Sequence, residues 1–185
     1  MNRGVWLACV FALGWLPLHV FRAESVVAAL PHYERWERVW VYVTMVLLSA
    51  HVTVACVCLA AMPTVSCGRA AVALALFAAA VGFWLWGRAQ IGPLRVTRLP
   101  EEPPVRLRRD GAFGLVRHPL YFAMLVLTGA RVVASGRVLP ALSWALCAAV
   151  IAVRAQQEER RLRAQLGAVY DTYCRDVKRL IPFVW

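Results

Sequence analysis

Residues 120–153 read LYFAMLVLTGARVVASGRVLPALSWALCAAVIAV, and this stretch decides the fold. As one helix its 34 residues would extend about 51 Å, far more than the ~30 Å of a bilayer core. Gly136 and Arg137 interrupt it near the middle. Two short spans folded back as a hairpin and a single broken span both fit the local pattern. The cations elsewhere separate them. With a hairpin, seventeen of the 21 Lys and Arg residues share one side: Arg22, Arg35 and Arg38, seven in Arg88–Pro119, and seven from Arg154 onward. The other side receives Arg3, Arg69 and Arg137, while Arg131 lies within a span. A single span would divide them ten against nine. Cytoplasmic loops carry the excess of Lys and Arg, so the hairpin is expected, with the N-terminus outside and the C-terminus in the cytoplasm.

Working outward, three more apolar runs precede the hairpin: Gly4–Phe21, Val39–Met62 and Ala70–Gly87. Each is long enough to cross a bilayer with little tilt. The first rivals a signal peptide, but Arg22, Ala23 and Glu24 do not form a small-x-small cleavage site, so a retained span is expected. Composition agrees. Of the 185 residues 61% are apolar and 17% charged, against roughly 45–50% and 25% in a soluble domain, and the mean hydropathy is +0.60. A disordered tail and a soluble globule are both excluded. The expected fold class is all-α: a polytopic membrane helix bundle of about five transmembrane helices with a cytoplasmic C-terminal helix.

The net charge of +11 would suggest nucleic acid in a soluble chain. Here the cations lie between apolar runs, so they serve orientation and attraction to anionic lipid, and no nucleic-acid partner is expected. Twenty of the 21 are Arg, and this Arg- and Ala-rich usage suggests a bacterial, GC-rich source. Six Cys show no C-x-x-C pair and no His at zinc-ligand spacing, so no metal site is expected. Mid-span His51 is expected to be neutral and bonded to a neighbouring helix. Arg131 is expected to snorkel toward the outer interface. Beyond the hairpin, Arg154–Cys174 has helical spacing, with Gly167 as its one weak point and Pro182 beyond its end.

Two polar clusters remain, both on the side assigned to the cytoplasm. The first runs from Asp110 to Tyr121 and contains Gly111, Phe113, Arg117, His118 and Pro119. Pro119 suits the first turn of a helix, whose free N–H groups beside Arg117 and His118 make an anion site. The second is Arg154–Leu162, in which Arg154, Glu158 and Leu162 share one helix face and Glu159 is turned about 100° away. Alone, the first cluster reads better as a marker of the membrane surface, and the second as a solvated charged face with an internal ion pair worth little.

Together they resemble a specific family. Gly111, Phe113, Arg117, His118, Pro119 and Tyr121, a hairpin, then Arg154, Glu158, Glu159, Leu162, Gly167, Tyr170 and Tyr173, then Leu180 and Pro182 are similar to the pattern of isoprenylcysteine carboxyl methyltransferases and their phospholipid methyltransferase relatives. Gly114 stands where an Arg is common in that family, and Ala123 where a Gly is common. The resemblance divides the chain into three N-terminal spans, 1–87, and a catalytic region, 88–185. It implies an integral membrane enzyme that uses S-adenosylmethionine and acts on a lipophilic small molecule or lipid at the cytoplasmic face. It assigns cofactor binding to Gly111, Phe113, Arg117, His118, Pro119, Tyr121, Glu158 and Glu159, and catalysis to Arg154 and Glu158. Two other readings compete: an NADPH-dependent membrane reductase of related architecture, and a non-catalytic multi-pass protein. The Glu158–Glu159 pair disfavours the phosphates of NADPH, and the surface position of the ionisable residues disfavours transport.

Overall fold

The structure, a computed structural model, describes residues 2–14, 35–91 and 107–184. Among these the chain is helical: α1 (Arg3–Gly14), α2 (Arg35–Ala60), α3 (Cys67–Ile91), α4 (Ala112–Leu115), α5 (Pro119–Ser135), α6 (Val138–Leu166) and α7 (Ala168–Asp176). The hairpin is present. Gly136 adopts a left-handed conformation (φ 57°, ψ 24°) and donates its N–H to the Val132 carbonyl at 2.8 Å, ending α5 one residue before Arg137 caps α6. The left-handed conformation is what favours glycine at this turn, and the Arg69 guanidinium packs against it.

By length and apolarity α2, α3 and α6 each suffice to cross a membrane, whereas α1 and α5 are shorter apolar helices. The second half of the expected Gly4–Phe21 span, and most of the loop after α3, lie outside the described residues. The apolar part of α6 is Val138–Val153. From Arg154 the helix turns polar and projects beyond it.

The helices alternate in direction. Asn2 donates to the Met62 carbonyl (2.6 Å) and Arg3 to the Cys67 sulfur (3.2 Å), so the start of α1 meets the end of α2 and the start of α3. Arg69 lies against Gly136 at that same end. At the opposite end Arg161 of α6 faces Glu37 of α2 at 3.8 Å, and Gln90 of α3 accepts the N–H of Ala112 at 3.0 Å. Arg3, Arg69 and Arg137 therefore share one end of the bundle, and both polar clusters share the other.

α5 is the central helix, in contact with α2, α3 and α6. Its Met124 and Leu127 join Leu48, Val52, Ala80, Cys147 and Ile151 in one apolar core, and Ala134 joins Leu7, Phe11, Leu59 and Ala73 in a second. The outer faces leave Val46, Val57, Val72, Leu85, Leu142 and Leu146 more than half exposed, as befits helices whose solvent is lipid.

His51 is bonded to its neighbours: Nδ1 lies 2.9 Å from Ser143 Oγ of α6, and Nε2 lies 3.3 Å from the Thr128 carbonyl of α5. Two other expectations are corrected. Arg131 does not snorkel. It is completely buried, donates to the carbonyls of Leu127 (2.8 Å) and Phe11 (2.9 Å), and lies over the rings of Phe11 and Phe77. Carbonyls and ring faces solvate the guanidinium within the bundle, a solution that a single span's sequence does not display. Nor is Arg154–Cys174 one helix. Gly167 breaks it with φ 54° and ψ −134°, a region open essentially to glycine alone, and α7 turns back so that Tyr170 and Tyr173 are buried.

Candidate active site

The loop before α5 is shaped by Gly111, whose φ of 58° and ψ of −129° again fall where only glycine is unstrained. A Cβ would meet the Gln90 amide at 1.8 Å. That close approach lets Gln90 accept from Ala112 and start the single turn of α4. Tyr173 of α7 holds the other end of the turn, donating its hydroxyl to the Phe113 carbonyl at 2.6 Å. Burial pushes the Tyr173 phenol up to about 12, so it stays a donor across the physiological range. Arg109 donates to the Val169 carbonyl at 2.6 Å and lies over the Tyr173 ring. α4 is thus pinned between α3 and α7.

Arg117 and His118 follow, with Pro119 at the first position of α5. The chain after α7 runs parallel beside them, joined by an isolated β-bridge. Arg117 N–H donates to Lys178 O (2.8 Å), His118 N–H to Arg179 O (3.1 Å), and Val116 bridges to Lys178. The Arg117 guanidinium donates to the carbonyls of Cys174 (3.1 Å) and Val177.

The centre of the site is Glu159. Its side chain is wholly buried, and its two oxygens collect three guanidinium groups and the His118 ring. Arg117 reaches Oε1 through Nε at 2.9 Å and through Nη2 at 2.9 Å. His118 Nε2 lies 3.3 Å from Oε1. Arg179 forks onto both oxygens, at 3.0 Å to Oε1 and 2.9 Å to Oε2. Arg163, one helical turn on, lies 3.7 Å from Oε2. Burial by itself would raise this carboxyl. The hydrogen bonds of His118 and Arg179, with the charge and hydrogen bond of Arg117, more than reverse that and hold it well below the ordinary carboxylate range. Bidentate Arg–carboxylate pairing is the arrangement that best offsets the cost of burying both charges.

Glu158 occupies the edge. Its side chain is 48% exposed, and Oε2 lies 3.8 Å from His118 Nδ1. The His118 ring therefore stands between the two carboxylates, with Tyr121 stacked on it at 5.5 Å between centroids. Arg154, one turn deeper on α6, is buried at the border of the apolar core. The N-cap of α5 makes no side-chain hydrogen bond, and Pro119 contributes no N–H.

The fold gathers every residue singled out in the two clusters at one end of the bundle. It brings Arg117 and His118 against Glu158 and Glu159 across the hairpin. Arg179, Arg163 and Gln90 were not singled out in the sequence. Arg179 adjoins Leu180 and Pro182, the only sign of it there. Nothing local marks Gln90, which sits inside an apolar helix's last turn. Among the described residues no group of three His, Cys, Asp or Glu side chains is arranged to hold a metal ion.

Residues 71–164, slightly over half of the chain, match the model of the isoprenylcysteine carboxyl methyltransferase (ICMT) family. The match covers α5, the hairpin turn and α6 through Glu158 and Glu159, and it ends before Gly167 and the segment that carries Arg179. No solved structure matches the chain. The chain belongs to the isoprenylcysteine carboxyl methyltransferase family.

Proposed function

From that membership, which makes the chain a membrane methyltransferase, we propose that it moves a methyl group from S-adenosylmethionine to a lipophilic acceptor (an isoprenoid, a lipid or a hydrophobic metabolite). In this reading five helices cross a bacterial cytoplasmic membrane, the N-terminus is outside, and the site and the C-terminal helix face the cytoplasm. The observation that carries it is the meeting of Arg117, His118, Glu158 and Glu159 where α5 begins and α6 leaves the apolar core.

The donor set fits a zwitterionic, adenosine-bearing molecule. Arg117, His118 and the uncapped first turn of α5 after Pro119 suit its carboxylate. Half-exposed Glu158 suits its ammonium or ribose hydroxyls. Phe113 and Tyr121 offer ring faces for adenine or for a cation, and Gly111 allows the close loop geometry. Glu159, already committed to three arginines and the His118 ring, contributes by keeping Arg117 and His118 in place. When bound, S-adenosylmethionine supplies a methyl carbon activated by its sulfonium. The protein's task is alignment. Arg154, at the boundary between the apolar core and the polar end, orients the acceptor's polar head. Should that head be a hydroxyl or amine, Glu158 or His118 takes its proton.

The reading is tested by titrating purified protein with S-adenosylmethionine and NADPH, and by incubating membranes with methyl-labelled S-adenosylmethionine before analysing the extracted lipids. Binding of S-adenosylmethionine and a labelled apolar product are expected. Unchanged S-adenosylmethionine affinity in both Glu158→Ala and Arg117→Ala would overturn the residue assignment, and preferential NADPH binding would overturn the reaction.

A further inference from the structure

We infer that the segment Val177–Leu180 is a working part of the site, with Arg179 as a positioning residue for the methyl donor. This rests on the functional reading above and extends it to a stretch beyond the family match. Two separate sets of bonds join that stretch to the Arg117–Pro119 loop. One is main-chain: Arg117 N–H and His118 N–H donate to the carbonyls of Lys178 and Arg179. The other runs through side chains, where Arg179 donates to both oxygens of Glu159, and Glu159 in turn receives Arg117 and His118. Leu180, the next residue, is buried in the same core as Met124 and Ile151, which anchors the segment to the bundle.

The geometry gives each partner a different job. The main-chain bonds set where the loop lies. The Arg179 fork sets how the Glu159 carboxylate is turned, because a guanidinium engages both oxygens in one plane and holds them there. Arg117 meets that carboxylate through Nε and Nη2, and His118 through Nε2, so their directions depend on its orientation. Arg179 itself points at Glu159 and acts through it. Without the fork the carboxylate is free to rotate toward Arg163, already 3.7 Å away, and the two groups proposed to receive the donor's carboxylate lose their alignment. A Lys at the position replaces the fork with a point charge.

The test uses full-length protein in detergent with three readouts: thermal unfolding, equilibrium binding of S-adenosylmethionine, and the separation of kcat from KM with an acceptor that the wild-type protein methylates. Arg179→Met is expected to bind S-adenosylmethionine about tenfold more weakly, equivalent to ~1.4 kcal/mol, with KM raised in step and kcat within about threefold of wild type. Arg179→Lys should fall between the two. Added guanidinium ion should recover part of the lost affinity in the Met variant. A folded Met variant with wild-type affinity and KM overturns the inference, as does a lowered kcat at unchanged KM. If neither variant can be obtained folded, Arg179 is an element of stability alone and the inference is likewise overturned. Failure of the wild-type protein to bind S-adenosylmethionine is a different result, and it removes the functional reading itself.

Discussion

Two buried arginines, Arg117 and Arg131, meet the same physical problem in different ways. Arg131 sits in the middle of the bundle, embraced by the carbonyls of Leu127 and Phe11 and the rings of Phe11 and Phe77. It ties α5 to α1 and α3. Arg117 sits at the bundle's end and is one of three guanidinium groups that, with the His118 ring, meet a single carboxylate. A guanidinium bedded in carbonyls and ring faces is a fixed strut. A cluster of charged and hydrogen-bonding groups at the edge of an apolar core, with one carboxylate half in solvent, is the arrangement proposed above to receive a charged ligand. The difference teaches that burial of a charge does not by itself mark a site; the company it keeps does.

The comparison can be broken at several points. Glu159→Gln should have the largest effect, since it leaves buried cations without their counter-charge. A loss of about 3–5 kcal/mol, seen as a lowered unfolding temperature in detergent, is expected together with loss of donor binding. The same residue predicts a pH dependence. Its folded carboxyl is held below the ordinary range, so its stabilising contribution is complete above the unfolded value near 4.5 and is lost as pH falls through the folded value. Wild-type protein should therefore lose stability on acidification below pH 4.5 more steeply than Glu159→Gln, measured as unfolding temperature against pH.

Arg131→Met should cost less, about 1–3 kcal/mol from carbonyls left without a donor, and should leave donor binding unchanged. Donor binding that falls with Arg131→Met would dissolve the distinction between strut and site. Glu158→Ala reverses the pattern: unfolding should be unaffected while S-adenosylmethionine affinity falls about tenfold. Tyr173→Phe removes one hydrogen bond to the Phe113 carbonyl and should cost about 1 kcal/mol, with faster amide exchange confined to residues near α4.

Much of this architecture was legible beforehand. The doubled length of Leu120–Val153 and the glycine at its middle implied the hairpin, and the uneven division of cations implied which ends meet. Arg117, His118, Glu158 and Glu159 were legible as clusters because ionisable residues are scarce in so apolar a chain. Arg131 was misread because the carbonyls and rings that receive it come from α1, α3 and its own preceding turn. Arg179 was passed over for a related reason: its partner lies twenty residues back, on the helix that precedes the reversal at Gly167.

The sequence by itself determined the class of protein, the turning point at Gly136, and the pool of groups available for chemistry. These follow from apolar length, backbone freedom and charge, which are properties of neighbouring residues. Which carboxylate lies at the centre and which at the rim was decided only by the tertiary structure. Glu158 and Glu159 are adjacent and chemically alike. One helical step of about 100° turns the first toward water and the second onto the tail and the loop before α5, where three guanidinium groups and the His118 ring converge.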